Sequence, residues 1–435
     1  MGEVYGGIME LQTIQSLRDN ALPLDVSIVM PCLNEAQSLP HCIANAHKAL
    51  DLIRQFYGFA GEVVIADNGS TDGSQAIATA LGARVIRVQR KGYGAALIGG
   101  FNVAYGRYLI MGDCDGSYDF VEAVPMIERL IHGADLCMGS RFKGGIAPGA
   151  MPWKNRYIGN PVLTGMLNLF FRSGIDDAHC GLRAICKESY ARLGLTSEGM
   201  EFASEMVIKA SLLGFAIRQV PATLSPDLRD RPPHLRPWRD GWRHLRYLFM
   251  LSPTWAFGVP AALMMAMGAL IFVLAALFTF HILPGEPRLG VSWTIVGAFL
   301  LTTGHFAAIM ALATHFYGVR QGYRPLRPML RRFTHILTLE NALIGGGAAI
   351  LTSIMSVAVV VYWWSSLGFT ALPTTLPLLA AVALGVIGMQ TALGGFLLSV
   401  IAGHDAVFCP ADPFAVLAAR GKATTAPQRA TVAVR

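Results

Sequence analysis

Charged residues are scarce in this sequence of 435 residues. Asp, Glu, Lys and Arg make up only 14% of it, against about 25% in a typical soluble protein. Four long runs contain none of these four residue types: 254–283, 291–317, 341–364 and 374–403. Each run reaches the roughly 20 apolar residues that a membrane-spanning helix needs. Four such runs in succession exclude an ordinary soluble protein, because no helix would have a polar face for water. They predict four transmembrane helices.

Lys and Arg are also nearly missing from alternate connections between these runs. The connections 284–290 and 365–373 hold only Arg288, whereas segment 226–250 holds six arginines and segment 318–340 holds five. Lys and Arg stay on the cytoplasmic side of a membrane protein. We therefore expect a multi-pass protein of the plasma (inner) membrane, with the first half of the chain and both termini in the cytoplasm.

Other absences narrow the class further. The first twenty residues lack the basic start and apolar segment of a signal peptide, so we expect no cleaved leader. Seven cysteines without C-x-x-C spacing argue against a disulfide framework or a zinc-thiolate site and favour a reducing compartment. The net charge of +7 comes largely from arginines beside the apolar runs. Anionic lipid headgroups are therefore expected partners and nucleic acid is not. The sequence leaves homo-oligomerisation open.

The first half of the chain alternates between short β-branched runs and helical stretches. The runs are VSIVM (26–30), EVVIA (62–66), RVIRV (84–88), RYLIM (107–111) and ADLCM (134–138). Strands that alternate with helices predict an α/β fold with a parallel sheet covered on both faces. Ligands of such sheets bind at the carboxyl ends of the strands.

Polar residues follow four of these strands, and the fourth strand is followed by two carboxylates. Asp113 and Asp115 are two residues apart, so in an extended segment their side chains point the same way. Mg²⁺ or Mn²⁺ prefers such oxygen ligands and would bridge the diphosphate of a nucleotide to the protein. The alternative is that one of the two residues only caps the following turn.

The ordered set VSIVMPCLNE, VVIADNGSTDGS, GDCDG, GSR and DAHCGLRA resembles the family 2 glycosyltransferases. Within the family it is similar to the branch of dolichol-phosphate mannosyltransferases and bacterial polyprenyl-phosphate hexosyltransferases. The resemblance covers about residues 25–220. It implies a GT-A (Rossmann-like) fold and an inverting transfer of a hexose from a nucleotide sugar, of UDP-glucose or GDP-mannose type, to a polyprenyl phosphate lipid.

The resemblance also implies roles for particular residues. The residues lining the nucleoside pocket are Pro31, Glu35 and Asp67. The donor and metal ligands are Asp113 and Asp115. The residues near the acceptor phosphate and the diphosphate are Arg141, Arg156 and Arg183. The resemblance implies that Asp177 is a catalytic or positioning carboxylate and that Asp115 is a catalytic residue as well as a metal ligand.

This sequence departs from the pattern of the family at three positions. Asn68 replaces a second carboxylate, Ser117 stands where relatives have a metal-binding Gln, and Asn160 stands where relatives have Ser. These departures bear on the metal preference and on the geometry of the acceptor site.

The expected organisation has five segments: an N-terminal extension (1–24), a GT-A domain (25–225), an amphipathic juxtamembrane segment (226–253), four transmembrane helices (254–403) and a cytoplasmic tail (404–435). In the juxtamembrane segment Trp238, Trp242 and Leu245 alternate with arginines, which predicts a helix with aromatic and basic faces that lies in a membrane interface. If the arginines named above serve the diphosphate, those of 229–246 would hold the lipid phosphate.

Four alternatives are weighed against this reading. A processive polysaccharide synthase would share a Q-x-x-R-W motif with its relatives, and this sequence lacks that motif. A nucleotidyltransferase would need a Gly-rich basic loop after the first strand, and the segment PCLNEAQS found there contains neither Gly nor Lys. A non-catalytic membrane scaffold or lipid flippase component is disfavoured because two adjacent carboxylates repel each other. A glycosyltransferase with another membrane acceptor remains open.

Overall fold

The computed structural model describes residues 24–229, 237–283 and 291–408. The predicted N-terminal extension, part of the juxtamembrane segment and most of the tail lie outside the described residues. The chain divides into two compact units, one up to Leu248 and one from Phe249 onward. We call them the catalytic unit and the membrane unit.

The catalytic unit is built on a seven-stranded sheet. Its strands are β1 (Val26–Cys32), β2 (Gly61–Asp67), β3 (Arg84–Arg87), β4 (Tyr108–Met111), β5 (Leu136–Ser140), β6 (Arg183–Cys186) and β7 (Ile217–Pro221). Their order across the sheet is β3-β2-β1-β4-β6-β5-β7. All neighbouring strands pair in parallel except β6, which is antiparallel to both β4 and β5.

Eight helices accompany the sheet before the boundary region. They are α1 (Leu39–Tyr57), α2 (Ser74–Ala80), α3 (Tyr93–Val103), α4 (Val124–Ile131), α5 (Arg141–Gly144), α6 (Asn160–Phe171), α7 (Lys187–Leu193) and α8 (Phe202–Leu212). A 3₁₀ turn (Phe120–Ala123) precedes α4, and a π turn (Asn155–Gly159) runs directly into α6.

The core follows from the apolar runs of the central strands and the apolar faces of the helices. The first five residues of β1 are buried, as expected for a strand covered on both sides. Helix α1 contributes Leu39, Ile43, Ala46 and Ile53 to the same core at helical spacing. The helix ends at Gly58, whose left-handed backbone (φ 72°) lets the chain turn back toward β2.

The five predicted strands are confirmed, but the predicted wholly parallel sheet is wrong in one respect. Strand β6 runs antiparallel and is inserted between β4 and β5. The strand order reverses around β1, which lies between β2 and β4. Ligands of α/β sheets bind at such a switch point, here between the carboxyl ends of β1 and β4.

Among its described residues, the membrane unit contains four helices that are long and apolar enough to cross a membrane. After α9 (Pro237–Met250), which crosses the boundary between the units, they are α10 (Val259–Thr279, extended by a π turn from Thr254), α11 (Val291–Arg320), α13 (Leu339–Ser366) and α14 (Leu376–Ala402); the short helix α12 (Pro328–Arg332) lies between α11 and α13. These helices confirm the four predicted spans.

Small residues bring these helices close together, as is usual between helices in lipid. A Cβ added to Gly346 in α13 would lie only 2.7 Å from the carbonyl oxygen of Gly388 in α14. Between α11 and α14, His305 Nδ1 lies 3.0 Å from Gln390 Oε1, and Thr391 Oγ1 lies 3.3 Å from His305 Nε2. The polar groups of this pair of helices therefore satisfy one another.

Helix α9 corresponds to the predicted juxtamembrane helix, but its exposed side is not divided into an aromatic and a basic face. Its place in a membrane interface stays a prediction. Trp242 and Arg246 are both exposed and lie four residues apart, so they share one side of the helix. The opposite side is buried through His244 and Leu248. The exposed side is therefore both aromatic and basic.

Candidate active site

The carboxyl ends of β1 and β4 lie side by side because the two strands pair in parallel, with Val29 opposite Met111. The segment after β4 carries Asp113 and Asp115. Its intervening carbonyl, that of Cys114, accepts a hydrogen bond of 2.7 Å from Ser38 Oγ at the start of α1. The two carboxylates are thus fixed at the switch point.

Asp113 is held from two directions. Tyr93 donates its hydroxyl to Asp113 Oδ1 at 2.9 Å. A Cβ added to Gly181 would lie 2.7 Å from Asp113 Oδ2, so only glycine allows the loop before β6 to approach this carboxylate. Neither Tyr93 nor Gly181 was identified from the sequence as a neighbour of Asp113.

Asp115 uses its two oxygens differently. Oδ1 accepts hydrogen bonds from the backbone N–H and the hydroxyl of Ser117 at 3.0 and 2.6 Å, which closes a local turn. Oδ2 accepts a hydrogen bond from Arg229 Nη2 at 2.6 Å. The turn-capping alternative is therefore realised by one oxygen, while the other faces a cationic group.

Arg229 links three carboxylates. The sequence named it only within the arginines of 229–246, as an alternative holder of the lipid phosphate. Besides Asp115, its guanidinium contacts Glu35 Oε1 at 3.2 Å and Asp227 Oδ2 at 3.0 Å. Its Nε is buried without a hydrogen-bond partner among the described residues. We call Arg229, Glu35, Asp115 and Asp227 the shared cluster.

The electrostatics of the site suit a cation. Burial and the negative charge of Asp115 raise the pKa of Asp113 to about 7, although Tyr93 and Arg229 act in the opposite direction. The protein surroundings therefore disfavour a negative charge on Asp113, and a cation bound beside it would offset that cost. Within the described ranges no group of three or more His, Cys, Asp or Glu side chains gathers as a metal site. The two carboxylates of Asp113 and Asp115 fit Mg²⁺ or Mn²⁺, because such an ion is often held by one or two carboxylates together with substrate phosphates.

The residues predicted to line the nucleoside pocket have different environments. Glu35 is nearly buried within the shared cluster, and the carbonyl of Pro31 accepts a hydrogen bond of 2.8 Å from Cys114 Sγ. Asp67 is buried, and its carboxylate accepts hydrogen bonds from Ser70 N and Gln75 Nε2, among others. Burial alone would raise the pKa of Asp67, but these hydrogen bonds hold it below its usual value. Asp67 thus organises the loop after β2, and its contact with a nucleoside stays a prediction.

Asp177, predicted as a catalytic or positioning carboxylate, lies against Arg141, and its role toward the substrate stays a prediction. It is fully buried and holds Arg141 in a bidentate pair, with Nε to Oδ2 at 2.6 Å and Nη2 to Oδ1 at 2.7 Å. Burial alone would raise the pKa of Asp177, but the hydrogen bonds and charge of Arg141 hold it below its usual value. We call Arg141 and Asp177 the buried pair. Among the described residues the Nη1 of Arg141 has no hydrogen-bond partner.

The prediction that Arg183 lies at a phosphate is corrected. Its side chain is fully buried, and its guanidinium donates to the carbonyls of Cys180, Ala203 and Ala178, each at 2.8 Å. The guanidinium therefore ties the loop before β6 to α8. Charge in a sequence does not reveal whether an arginine serves a ligand or the backbone.

Arg156 is not brought into contact with the shared cluster or the buried pair. It lies half-exposed on the π turn before α6, with its guanidinium carbon 5.5 Å from the ring centroid of Tyr157. Its phosphate role stays a prediction.

Comparison with known proteins agrees with this architecture. Residues 27–194 match Glycosyl transferase family 2, and residues 312–402 match the Glycosyltransferase family 2 C-terminal transmembrane region. The chain is 35% identical over 381 residues to the low-salt glycan biosynthesis hexosyltransferase of Haloferax volcanii, covering 87% of this chain and 90% of that protein. It is 28% identical over 215 residues to the polyprenol monophosphomannose synthase of Mycolicibacterium smegmatis, covering 46% of this chain and 76% of that protein.

A solved structure of glucosyl-3-phosphoglycerate synthase from Mycobacterium tuberculosis covers 52% of this chain and 78% of its own, at 19% identity and a TM-score of 0.39. The sheet domain has the GT-A arrangement, and four apolar helices follow it. The match to the hexosyltransferase extends over nearly the full length of both chains. The chain therefore belongs to glycosyltransferase family 2, and it is a membrane glycosyltransferase.

Proposed function

We propose that this enzyme transfers a hexose from a nucleotide sugar to a polyprenyl phosphate, with inversion at the anomeric carbon. One observation carries the proposal: the two-carboxylate site and the four apolar helices belong to one chain. A donor site that suits a nucleotide diphosphate thus belongs to a protein whose acceptor can be a lipid. The names of two relatives, a polyprenol monophosphomannose synthase and a dolichyl-phosphate hexose transferase, support this acceptor class.

The proposed transfer does not need a strong general base. The second pKa of a phosphate monoester is about 6, so the acceptor is already anionic at neutral pH. An acceptor oxygen attacks the anomeric carbon as the bond to the donor diphosphate breaks, and the nucleoside diphosphate leaves with the electron pair. The main task is to hold two anions near one carbon atom.

The residues at the switch point fit the donor side of this task. Asp113 and Asp115 would hold Mg²⁺ or Mn²⁺, and Glu35 and Pro31 lie beside them at the end of β1. The cation, when bound, supplies neutralising charge to the departing diphosphate.

Arginines would serve the acceptor side. Arg141 is oriented by Asp177 and keeps Nη1 for a phosphate oxygen, while Arg156 is half-exposed. Charge-assisted hydrogen bonds from arginine to phosphate are strong and directional. We assign these two residues to the acceptor phosphate.

The test is a transfer assay with the full-length protein in liposomes. Radiolabelled nucleotide sugars are offered one at a time with polyprenyl phosphate, and the lipid product is analysed by chromatography and mass spectrometry. We expect one hexose to be added per lipid phosphate, by a phosphodiester-type linkage that is labile to mild acid. Product of increasing length would instead indicate a processive synthase, and transfer only to another lipid would indicate another membrane acceptor.

We also propose that both termini and the catalytic unit are cytoplasmic, in the plasma membrane. The arginine-rich connections support this orientation. A reporter that is active only outside the cytoplasm, fused after residue 435, should stay silent, whereas the same reporter inserted in 365–373 should be active. The reverse pattern would contradict the orientation.

A further inference from the structure

Arg324 is a buried arginine of the membrane unit, and no described carboxylate neutralises it. It lies in the connection between α11 and α12, and it is only 5% exposed. Its Nη2 donates to the carbonyl of Leu251, whereas its Nε is buried without a hydrogen-bond partner among the described residues. None of the ion pairs between described residues lies in the membrane unit. The positive charge of Arg324 is therefore buried without an opposite charge, which is unfavourable.

The neighbouring His315 adds a second unsatisfied donor. Its Nδ1 lies 3.5 Å from Nη1 of Arg324. A guanidinium can only donate, so Nδ1 accepts, and the proton of the neutral ring is then on Nε2. Nε2 is buried and has no partner in the part of the chain that the structure describes. Both unsatisfied atoms, Nε2 of His315 and Nε of Arg324, are donors, so a group that completes them has to supply acceptor oxygens.

The surroundings of Arg324 are positive as well. Arg327 donates to Thr254 Oγ1, at the start of the π turn that leads into α10. The beginning of a helix carries unpaired N–H groups and the positive end of the helix dipole. Burial and the charge of Arg327 lower the pKa of Arg324 to about 10, so that it stays protonated at neutral pH. An anion is the ligand that would relieve this excess of positive charge.

Burial of an arginine does not by itself indicate a ligand, as Arg183 demonstrates. Each of the three nitrogen atoms of its guanidinium donates to a backbone carbonyl at 2.8 Å. The backbone thus satisfies that side chain completely, and its role is structural. Arg324 has a single backbone carbonyl, that of Leu251. The contrast between the two buried arginines indicates that the remaining donors of Arg324 serve a group from outside the chain.

We propose that Arg324 and His315 form an anion site that binds the phosphate group of a lipid. All of its residues belong to the membrane unit. Phosphate oxygens accept strong, charge-assisted hydrogen bonds from a guanidinium. A lipid is the favoured source of the phosphate, because Arg324 follows the end of α11 and Thr254 stands at the start of the α10 span. A phospholipid presents its phosphate at this level, where the hydrocarbon core of the bilayer ends.

The test counts the lipids bound to the full-length protein by native mass spectrometry. The protein in detergent is titrated with phosphatidylglycerol or with diacylglycerol, which has the same acyl chains and no phosphate. We expect the parent to bind phosphatidylglycerol with a saturable affinity that diacylglycerol lacks. Arg324→Gln should weaken this affinity by about ten- to a hundredfold, the loss expected for one charge-assisted hydrogen bond. Arg331→Gln, the same change at an exposed arginine of α12, should leave it unchanged.

A second variant separates binding from folding. In Arg324→Gln the new side chain can still donate to the carbonyl of Leu251, and circular dichroism shows whether the helices are intact. His315→Phe removes the second donor and leaves the charge of Arg324 in place. It should weaken the binding of phosphatidylglycerol by a smaller factor than Arg324→Gln, because a neutral donor makes a weaker hydrogen bond than a charged one. Unchanged binding in a folded His315→Phe would remove His315 from the site.

Two results would overturn the anion site. One is a parent protein that binds phosphatidylglycerol no better than diacylglycerol, and the other is a folded Arg324→Gln that binds it as the parent does. Inorganic phosphate distinguishes a lipid from a free anion, because equal affinity for it would overturn the assignment to a lipid. Phosphatidylglycerol has no phosphate monoester and is not an acceptor in the proposed reaction. A failure of the proposed function, seen as no turnover of prenyl phosphate, would therefore leave this result standing.

Discussion

Two arginine clusters lie in the catalytic unit, and they are built in opposite ways. In the buried pair, one guanidinium meets one carboxylate through two short hydrogen bonds, and both side chains are shielded from water. In the shared cluster, one guanidinium is divided among three carboxylates, and the side chains are partly accessible. Each guanidinium keeps one nitrogen without a hydrogen-bond partner among the described residues, Nη1 in Arg141 and Nε in Arg229. The two clusters therefore differ in how many carboxylates share the charge and in how deeply the ion pair is buried. The comparison indicates that the contact in the buried pair is fixed and structural, whereas the contacts of Arg229 in the shared cluster are exchangeable.

The exchangeable contact lies where a cation is expected. Arg229 Nη2 contacts the Oδ2 of Asp115, which is the oxygen not used for the local turn. A divalent cation bound to Asp115 would therefore compete with Arg229. The buried pair has no such competitor.

The largest expected effect comes from the carboxylate that both a cation and Arg229 would contact. Asp115→Asn should lower transfer about a thousandfold or more, because a bound metal supplies several kcal/mol of charge stabilisation in the transition state. It should also abolish the dependence of nucleotide binding on divalent ions, measured by calorimetry. Asp227→Asn, a change at another carboxylate of the same cluster, should keep activity within a few-fold. Near-normal turnover in Asp115→Asn would contradict the metal assignment.

The next effect tests the buried pair through stability. Asp177→Asn should lower the free energy of unfolding by about 3–5 kcal/mol, because it leaves the buried charge of Arg141 unpaired. The midpoint of thermal unfolding in detergent should fall by roughly 10 °C. Asp176→Asn is the matched control, since its ion pair with Lys143 is exposed and should contribute less than about 1 kcal/mol.

The pH dependence of this stabilisation has a defined sign. The pKa of Asp177 is lowered in the folded protein. Its contribution should be fully present above its unfolded pKa of about 3.9 and should be lost as the pH falls below it. The difference in stability between the parent and Asp177→Asn should therefore be constant near neutral pH. A difference that shrinks between pH 6 and 8 would point to another group.

A smaller effect is expected at Arg156. Arg156→Ala should weaken acceptor use by about ten- to a hundredfold, because a charge-assisted contact is worth roughly 1.5–3 kcal/mol. Arg156→Lys should recover only part of the loss, since Lys keeps the charge without the bidentate fork. Steady-state kinetics with donor and acceptor varied separately provide the measurement. A change confined to the donor KM would place Arg156 at the diphosphate instead.

The smallest expected effect tests whether the contact between Arg229 and Asp115 is exchangeable. Arg229→Gln should tighten the binding of Mn²⁺ to the nucleotide-free protein by about two- to fivefold, because the cation no longer has to displace the guanidinium from Oδ2 of Asp115. Electron paramagnetic resonance of free Mn²⁺ gives the affinity without turnover. In both proteins the affinity should fall as the pH drops below about 7, where protons compete for Asp113. Weaker binding in Arg229→Gln would show that the arginine supports the cation site and does not compete for it.

The sequence predicted what depends on local pattern and missed what depends on distant contacts. Five strands, the main helices and the four spans were readable because their apolar runs are long or periodic. Strands β6 and β7 were missed because RAIC and IRQVP are short and take their places in the sheet by pairing with β4 and β5, which are distant in sequence. The two carboxylates after β4 were readable from strand direction alone. Arg229 was not, because 114 residues separate it from Asp115. The burial of Arg183 likewise depends on α8, which no local motif connects to it.

The outward side of the π turn and of α6 carries exposed apolar side chains. This surface affects the solubility of the catalytic unit when it is produced without the four transmembrane helices. A fragment ending near residue 225 would keep its sheet and core, yet it would present Trp153, Tyr157, Ile158, Val162 and Leu169 to water. Apolar surface of this kind favours self-association in dilute buffer. Such a fragment should therefore precipitate or bind detergent on its own. Replacing two of the five side chains by Glu or Lys would be the first change to make when a soluble form is needed for crystallisation.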